Sequence, residues 1–374
     1  MKTLCLNMIV KNESHVIKRC LEAIKPAIDY WVIVDTGSND GTQEIIKEFL
    51  SDIPGELHER PWVNFEHNRN EALLIARNKA DYLCFLDADE EIVFEKPFDK
   101  SSWDKDFYML RAKGEKSDFF HPNIVSNDPG WHWVGALHEC IMNTARMDGE
   151  ILDNAHVNRP QDGARSKDPE KHAKDIAILE DAMRKEPWNA RHVFYLAQTY
   201  SAVKDYPSAL KYFEKRALMD GDDDETFWTL YRLGCLLEVM EKDKWRILQT
   251  HDQAHQKNPF RAEPLERLAC LFNSNKCPSL AYIVAKFGVS MKMPNALNSD
   301  FYPWVYEYGM LAQLADASFA LGFLNEAQTH YRALLDIPSV PSDSKKYVLR
   351  QLEKIKQKKE EIPSCPREEL RSKR

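Results

Sequence analysis

The sequence lacks several features that would assign it to a common class of protein. Its eight cysteines form no Cys-x-x-Cys pair, which argues against a zinc site or a disulfide framework and favours a reducing compartment. No apolar run approaches the length of a membrane-spanning helix. Acidic residues outnumber basic ones by 59 to 51, which argues against general nucleic-acid binding because that requires a basic surface.

Two nucleotide-binding fingerprints are also missing, since there is neither a G-x-G-x-x-G sequence nor a P-loop. The first residues, MKTLCLNMIVKNE, hold one early lysine and a short apolar stretch that Asn7 interrupts. No small-residue cleavage site follows, so we interpret them as a first strand rather than a signal peptide. We therefore expect a cytoplasmic protein without transmembrane segments.

Residues 1–157 alternate between strand and helix patterns. Strands are predicted at TLCLNMIV, YWVIVD and DYLCFLD, with amphipathic helices between them. This alternation predicts a mainly parallel sheet covered by helices, with ligands at the carboxyl ends of the strands. All three strands end in polar residues, VKNE (10–13), DTGSNDGT (35–42) and DADEE (87–91), so we expect a binding site at that edge.

The acids of DADEE are candidate ligands of a divalent cation. Asp87 and Asp89 are two residues apart, and in an extended segment side chains with that spacing point the same way. Mg²⁺ and Mn²⁺ prefer oxygen ligands and take one or two carboxylates together with substrate phosphates. The alternative interpretation is a solvated strand end without an ion.

The sequence VDTGSNDGT has the composition of a tight turn between a strand and a helix. Gly37 and Gly41 let the backbone come close to a ligand, and Asp40 and Thr42 can cap the following helix. The alternative is a well-capped junction that binds nothing.

After residue 157 the pattern changes to almost continuous helix. The polar stretch 158–171 contains two prolines and is interpreted as a boundary loop. We assign residues 172–350 to a helical domain and residues 351–374 to a charged tail.

Within the helical part, similar residues recur at a spacing of 34. Phe194 corresponds to Trp228 and Leu196 to Leu230, which is the tetratricopeptide period. We predict an all-α tetratricopeptide-like repeat domain. Stacked helix pairs of this kind form a concave face suited to an extended peptide or a partner protein.

Four motifs in the order NMIVKNE, VDTGSNDGT, HNRNEAL and FLDADEE resemble the family-2 glycosyltransferases with a GT-A fold. The resemblance covers residues 1–157. WHWVGALHE (131–139) and the helical repeats narrow it to a bacterial-type subgroup that includes lipopolysaccharide-core glucosyltransferases and peptide S-glycosyltransferases. The QxxRW motif is absent, so polysaccharide synthase activity is not expected.

The resemblance implies an inverting transfer of a hexose from a UDP-sugar to a glycan or protein acceptor, with Mn²⁺ or Mg²⁺ and with glucose as the first expectation. It implies metal ligation by Asp87, Asp89 and His156. It places these residues in the donor site: Val10, Lys11, Asn12, Glu13, Asp35, Arg69, Asp87 and Ala88.

An inverting transfer needs a base that takes the proton of the acceptor. Glu139 is the candidate, on a strand WHWVGALHE that we expect to end at the same edge as DADEE. His138 is the alternative base, or it orients Glu139. Arg159, Arg165 and Lys171 form a basic loop that closes over the diphosphate, or else a solvated linker.

Two other functions fit parts of the sequence. A tetratricopeptide binding scaffold with an inactive transferase domain would keep the repeats but not the acids. A nucleotidyltransferase would typically have a glycine-rich basic loop after the first strand, where this sequence has VKNES. The sugar, the acceptor and the oligomeric state, with a homodimer as one alternative, are open at this level.

Overall fold

A computed structural model describes residues 1–96, 99–114, 118–294 and 300–361. The chain forms two compact units: Met1–Glu225 with residues 300–301, and Thr226–Pro294 with residues 302–361. Among the described residues, every helix is too short or too polar to cross a membrane.

The first unit begins with the predicted alternation of strands and helices. It contains β1 (Leu4–Val10), α1 (Ile17–Ile24), β2 (Tyr30–Asp35), α2 (Thr42–Phe49), β3 (Gly55–Glu59), α3 (Phe65–Ala76) and β4 (Tyr82–Phe85). The four strands are parallel and lie in the order β3-β2-β1-β4. The residues of β1, β2 and β4 are apolar almost without interruption because both faces of the sheet are covered there, whereas the edge strand β3 (GELHE) is polar and partly exposed. The carboxyl ends of β1, β2 and β4 therefore meet at one edge, as predicted.

The sheet continues with strands that are mostly antiparallel to their neighbours. These are β5 (Glu91–Phe94), β6 (Phe107–Lys113), β7 (Asp118–Ser126) and β10 (Gly149–Asn158), while β8 (Trp131–Val134) and β9 (Cys140–Asn143) form a separate two-stranded sheet. The eight strands of the main sheet have the order β3-β2-β1-β4-β7-β6-β10-β5. The mixed α/β sheet that the resemblance to a GT-A fold implies is confirmed, whereas the alternation pattern alone predicts a mainly parallel sheet.

The segment WHWVGALHE is a strand only in its first half. β8 ends at Val134, and Gly135 turns the chain with φ 119°. A left-handed backbone of this kind favours glycine because a Cβ there would be strained. Glu139 lies in the turn just before β9, so the expectation that it ends a strand of the main sheet is wrong.

Four helices follow β10 in the first unit: α4 (Ala164–Lys167), α5 (Lys171–Lys185), α6 (Ala190–Ala202) and α7 (Tyr206–Ala217). Helix α5 buries Leu179 and Ala182, while Ala173 and Ala177 on the same helix are exposed. Leu179 of α5 packs with Leu196 of α6 and with Leu137 of the turn between β8 and β9. The first helices after the sheet thus contact the turn that carries Glu139.

The second unit consists of helices that pack on one another in chain order. They are α8 (Asp223–Val239, which begins in the first unit), α9 (Lys244–Lys257), α10 (Glu263–Ser274), α11 (Pro278–Val289), α12 (Met310–Ala320), α13 (Leu324–Asp336) and α14 (Ser342–Glu361). The prediction of a mainly helical second part is confirmed. α14 includes residues 351–361, which we assigned to a charged tail, and residues 362–374 lie outside the described residues. The domain limits themselves stay a prediction.

Candidate active site

The loops that follow β1 and β2 are joined by hydrogen bonds. Asn12 donates its backbone N–H to Oγ of Ser38 (2.8 Å), and its side-chain oxygen accepts the N–H of Asn39 (2.9 Å). The N–H of Glu13 donates to the hydroxyl of Thr42 (2.8 Å). These bonds place the two segments of the predicted donor site side by side.

Asp35, at the end of β2, is fully buried beside Val10 of β1, whereas Lys11 is exposed. Its Oδ1 accepts the N–H groups of Gly37 (2.8 Å) and Ser38 (2.7 Å). Its Oδ2 is buried without a hydrogen-bond partner among the described residues. Because a buried polar atom without a partner costs free energy, a donor group of a ligand at this position would be bound favourably.

Asp87, Asp89 and Glu90 lie in a turn between β4 and β5, and Glu91 is the first residue of β5. β4 ends at Phe85, and the N–H of Glu90 donates to the carbonyl of Asp87 (3.0 Å) around the buried Ala88. The assumption of an extended segment is therefore wrong, because a turn replaces the strand. Asp87 and Asp89 bind separate groups of the protein: Asp87 accepts from Arg69, and Asp89 accepts from a backbone N–H.

Arg69, on α3, connects two of the predicted site residues. Its Nη2 lies 2.6 Å from Oδ1 of Asp87, and its Nε lies 2.5 Å from Oε1 of Glu139. The guanidinium lies 4.9 Å over the ring of Trp133. Burial alone would raise the pKa of Asp87, but Arg69 outweighs this effect and lowers it. The structure thus brings Asp87, Arg69 and Glu139 into one chain of ion pairs.

Glu90 is a third acid of the turn, which we did not single out although it belongs to the same acidic run. Its Oε2 accepts the N–H of Asp87 (3.0 Å), and its Oε1 lies 2.7 Å from Nε of Arg159. Burial, followed by the charge of Asp87, raises the pKa of Glu90 to about 7. Arg159, which we placed in a basic loop, is therefore held at the acidic turn.

The segment after β10 lies against two of the predicted site acids. The N–H of Gly163 donates to Oδ2 of Asp89 (3.1 Å), and the N–H of Ala164 donates to both carboxylate oxygens of Glu13 (3.1 and 3.2 Å). A Cβ at position 163 would lie 3.0 Å from Oδ2 of Asp89, so glycine permits this approach. A metal or phosphate ligand of Asp89 would displace this hydrogen bond.

The other basic residues of that segment have different positions. Arg165 is paired with Asp175 of α5, and its guanidinium lies 4.6 Å over the ring of Phe65. Lys171 is the first residue of α5. Their closure over a diphosphate stays a prediction.

The two histidines singled out in the sequence, His138 and His156, contact Tyr195 and Glu95, respectively. The ring of His138 stacks on Tyr195 of α6, with a centroid distance of 4.2 Å. His156 lies on β10 with its Nδ1 3.4 Å from Oε1 of Glu95. Its role as a metal ligand stays a prediction.

A histidine that sequence reasoning missed lies near the ion-pair chain. His121 of β7 stacks on Trp133, with ring centroids 6.3 Å apart. Burial, followed by the charges of Arg159 and Arg69, lowers the pKa of His121 to about 4. Nothing in the sequence marked His121 as a site residue, because only the tertiary structure brings β7 beside Trp133.

A second group of metal-ligand types lies in the helical unit. Within the part of the chain that the structure describes, Cys235, Glu238 and His251 place one ligand atom each within 4.8 Å of one another. Glu238 is already paired with Arg267 and accepts from His251 (2.7 Å), and burial raises the pKa of the Cys235 thiol to about 12. A cation site needs deprotonated and available ligands, so we interpret this group as a packing network.

Comparison with known proteins adds independent findings. Residues 5–96 match the profile of a family described as Glycosyl transferase family 2. A TPR repeat-containing protein of Synechococcus elongatus is 36% identical over 96 residues, which are 25% of this chain and 22% of that protein. The SPbeta prophage-derived glycosyltransferase SunS of Bacillus subtilis is 22% identical over 236 residues, which are 57% of this chain and 53% of SunS. The matches thus span about half of SunS and less of the Synechococcus protein.

Solved structures with some likeness are helical repeat proteins. MamA is 15% identical, with a TM-score of 0.37 over 51% of this chain and 92% of that one. YrrB, described as a TPR protein with an unusual peptide-binding site, is 14% identical, with a TM-score of 0.39 over 50% of this chain and 85% of that one. Because these TM-scores are low, the helical architecture of the second unit is assigned from the helices of this chain itself.

The matched residues 5–96 include β1 to β5, Asp35, Arg69 and the whole acidic turn, whereas Glu139 lies beyond them. The acids at the ends of β2 and β4 therefore lie in the segment that matches glycosyl transferase family 2.

Proposed function

We propose that this protein is an inverting glycosyltransferase that moves a hexose from a UDP-sugar to a glycan or protein acceptor, with the help of Mn²⁺ or Mg²⁺. Glucose is the first sugar to test. The family match and the similarity to SunS support glycosyl transfer in general. The nucleotide, the metal and the acceptor are part of the proposal.

The observation that carries this proposal is the chain of ion pairs from Asp87 through Arg69 to Glu139. Asp87 follows a strand of the family-matched segment, while Glu139 comes from a separate hairpin. An inverting transfer needs a base at the acceptor, and on the opposite side of the reacting carbon a cation held in part by Asp87 would stabilise the leaving diphosphate. Arg69 fixes the distance between two carboxylates that suit these two roles.

The nucleoside would bind between the loops after β1 and β2. The unpartnered Oδ2 of Asp35 supports this, since it offers a buried acceptor to an N–H or O–H of the ligand. Gly37 and Gly41 have φ angles of 107° and 91°, and a Cβ at either position would meet open space. The backbone at these glycines is therefore accessible to a ligand.

The acids at the strand ends fit a divalent cation. Burial raises the pKa of Glu13, and the charges of Asp89 and Asp87 add to this effect, so negative charge is crowded here. Asp89 with Asp87 would hold the ion, and the remaining ligands would be phosphate oxygens and water. A bound dication would stabilise the negative charge that develops on the leaving diphosphate.

The roles of the protein's own residues follow from this arrangement. Glu139 takes the proton of the acceptor hydroxyl or thiol as the acceptor attacks the anomeric carbon. Arg69 orients Glu139 and keeps Asp87 in place. In this proposal the segment at Gly163, which lies against Asp89 and Glu13, shields the bound donor from water.

A donor screen tests the proposal. The full-length protein is incubated with UDP-glucose, UDP-galactose, UDP-N-acetylglucosamine and GDP-mannose, with Mn²⁺ or with EDTA, and release of nucleoside diphosphate is measured with water as the acceptor. Binding of UDP is measured by calorimetry under the same two conditions. We expect Mn²⁺-dependent binding of UDP and slow release of UDP from one donor.

Other outcomes would favour the alternatives. Release of pyrophosphate from a nucleoside triphosphate would indicate nucleotidyl transfer. Absence of UDP binding with every metal tested would indicate a helical binding scaffold with an inactive transferase part. Either result would overturn the proposed function.

A further inference from the structure

We propose that Tyr195 and Arg191 of helix α6 are positioning residues for the reaction, because they fix the turn that carries the candidate base Glu139. This inference rests on the proposed function, since it concerns the same reaction. Both residues lie outside the segment that matches glycosyl transferase family 2. The first helices after the sheet would then contribute to the chemistry and not only to stability.

The turn between β8 and β9 has an unusual backbone. His138 has φ 55°, a left-handed conformation that a residue with a side chain adopts only at a cost in free energy. At Gly135, a Cβ would lie 3.3 Å from the Cα of Glu139. Because His138 directly precedes Glu139, any relaxation of its backbone rotates the peptide that leads into Glu139.

Two side chains of α6 hold His138 in this conformation. The ring of Tyr195 stacks on the imidazole at 4.2 Å with an interplanar angle of 15°. Nη2 of Arg191 donates to the carbonyl of His138 (2.9 Å). The side chain and the carbonyl of one residue are therefore both bound to α6, which fixes the orientation of that peptide.

Arg191 is itself held in place. It forms an ion pair with Glu225, and its guanidinium lies 4.8 Å over the ring of Tyr195. Since the planar guanidinium donates to Glu225 and to the carbonyl of His138 at the same time, a lysine could not replace it in both contacts.

Glu139 is thus fixed from two sides. Helix α3 holds its carboxylate through Arg69 (2.5 Å), and Asn70 of α3 forms two hydrogen bonds of 2.8 Å with the backbone of Trp133. Helix α6 holds the backbone of the turn at His138 through Arg191 and Tyr195. A base acts only within hydrogen-bond reach of the proton it removes, so loss of the contacts to α6 should slow the chemical step rather than weaken donor binding.

The experiment compares Tyr195→Leu with two matched variants. Tyr195→Phe keeps the stacked ring. Tyr212→Leu is the control for loss of an aromatic ring, because Tyr212 of α7 is also half-buried but stacks on Tyr200 (5.5 Å). For each variant, kcat for release of nucleoside diphosphate is measured with the donor found in the screen, Kd is measured for UDP with Mn²⁺, and hydrogen exchange is followed in residues 135–139.

We expect Tyr195→Leu to lower kcat by about 10- to 100-fold, as a displacement of about 1 Å does, with Kd for UDP unchanged and faster exchange in residues 135–139. Tyr195→Phe and Tyr212→Leu should behave like the wild-type protein. Arg191→Lys, which keeps the charge, should show the same pattern as Tyr195→Leu with a smaller loss, and serves as a second measurement if Tyr195→Leu folds poorly.

Two results would overturn the inference in distinguishable ways. If the wild-type protein releases nucleoside diphosphate but Tyr195→Leu matches Tyr212→Leu in kcat, α6 does not position the base, and the proposed function stands. If the wild-type protein neither binds UDP nor releases it, the proposed function fails and this role fails with it.

Discussion

In the first unit Asp87 and Glu90 at the strand ends pair with arginine, as Glu238 does in the second unit, but the environments of these acids differ. Glu238 is paired with Arg267 and accepts from His251, and these contacts outweigh burial and lower its pKa. At the strand ends, Arg69 likewise lowers the pKa of Asp87, but burial and neighbouring acids raise the pKa of Glu13, and that of Glu90 to about 7.

We interpret this difference as separating a structural network from the proposed binding site. In the helical network the charges compensate one another, so the ion pairs contribute to the packing of α8, α9 and α10. At Glu13 and Glu90, burial and repulsion from Asp87 and Asp89 outweigh the neighbouring donors and cations, so a ligand that removes this repulsion would bind favourably. The acids there also lie in turns, where hydrogen bonds to loops hold them and a ligand can replace those bonds.

The largest expected effect is that of Asp89→Ala, which should reduce Mn²⁺-dependent release of nucleoside diphosphate below detection while the protein stays folded. The carboxylate is the principal proposed ligand of the cation, so metal-dependent binding of UDP should be lost as well. Circular dichroism checks the fold, and calorimetry measures binding. Asp336→Ala, at an exposed position, controls for loss of a carboxylate. Undiminished activity of Asp89→Ala with Mn²⁺ would contradict the metal site.

Glu139→Gln should affect the chemical step and leave the binding step intact. The amide keeps the shape and a hydrogen bond to Arg69 but cannot take a proton, so kcat should fall by about 10²–10⁴. The Kd for the donor should change little. Glu22→Gln on the exposed face of α1 is the control. An equal loss of donor binding would mean that Glu139 holds the sugar or the metal, and an unchanged kcat would make His138 the next residue to test.

Glu238→Gln should have the opposite profile, with a loss of stability and normal UDP binding. Its side chain is largely buried, and the change leaves Arg267 and His251 without their anionic partner. We expect a loss of about 1–3 kcal/mol in the free energy of unfolding, measured from the urea midpoint. Glu353→Gln, at an exposed position on α14, should have no measurable effect. Loss of metal-dependent UDP binding in Glu238→Gln would show that the comparison between the two regions is wrong.

Asp40→Ala should give the smallest effect, and that effect should depend on pH. Burial alone would raise the pKa of Asp40, but hydrogen bonds from Thr42 and Ser14 outweigh it and lower the pKa from 3.8 to about 2. A lowered pKa stabilises the folded protein above pH 3.8, and this contribution is lost as the pH falls through about 2.

Because Asp40 is exposed, the loss in Asp40→Ala should be only about 1 kcal/mol at pH 7. Urea midpoints at pH 7 and pH 2.5 should show a smaller difference from the wild-type protein at the lower pH. Asp336→Ala again serves as the surface control. A difference that grows towards low pH would contradict the assigned hydrogen bonds.

Several elements could be predicted because their signals are local. The buried residues of α1, Ile17, Cys20, Leu21 and Ile24, repeat at helical spacing, and the strands β1, β2 and β4 are short apolar runs that end in polar residues. The turn after β2 could be predicted from Gly37 and Gly41, because glycine favours the left-handed conformation that both adopt.

The errors have physical causes that local patterns do not contain. We interpreted DADEE as extended, but Glu90 folds back to bind the N–H of Asp87 and forms a turn. We interpreted WHWVGALHE as one strand, but α3 binds this segment, and Glu66 accepts the N–H of Gly135 (2.9 Å) where the chain reverses. In both cases a side chain competes successfully for a backbone group that a strand would use.

The sequence by itself determined β1, β2 and β4 with the helices between them, the edge at which their polar loops meet and the presence of the acids, since these depend on local spacing, whereas the strands β3, β5 to β7, β9 and β10 were not predicted. Only the tertiary structure decided that Asp87 and Glu139 share Arg69 as a partner. Arg69 binds Asp87 at a separation of 18 residues and Glu139 at a separation of 70. No periodicity in the sequence records contacts across such distances, because they arise from the packing of α3 between the sheet and the β8–β9 hairpin.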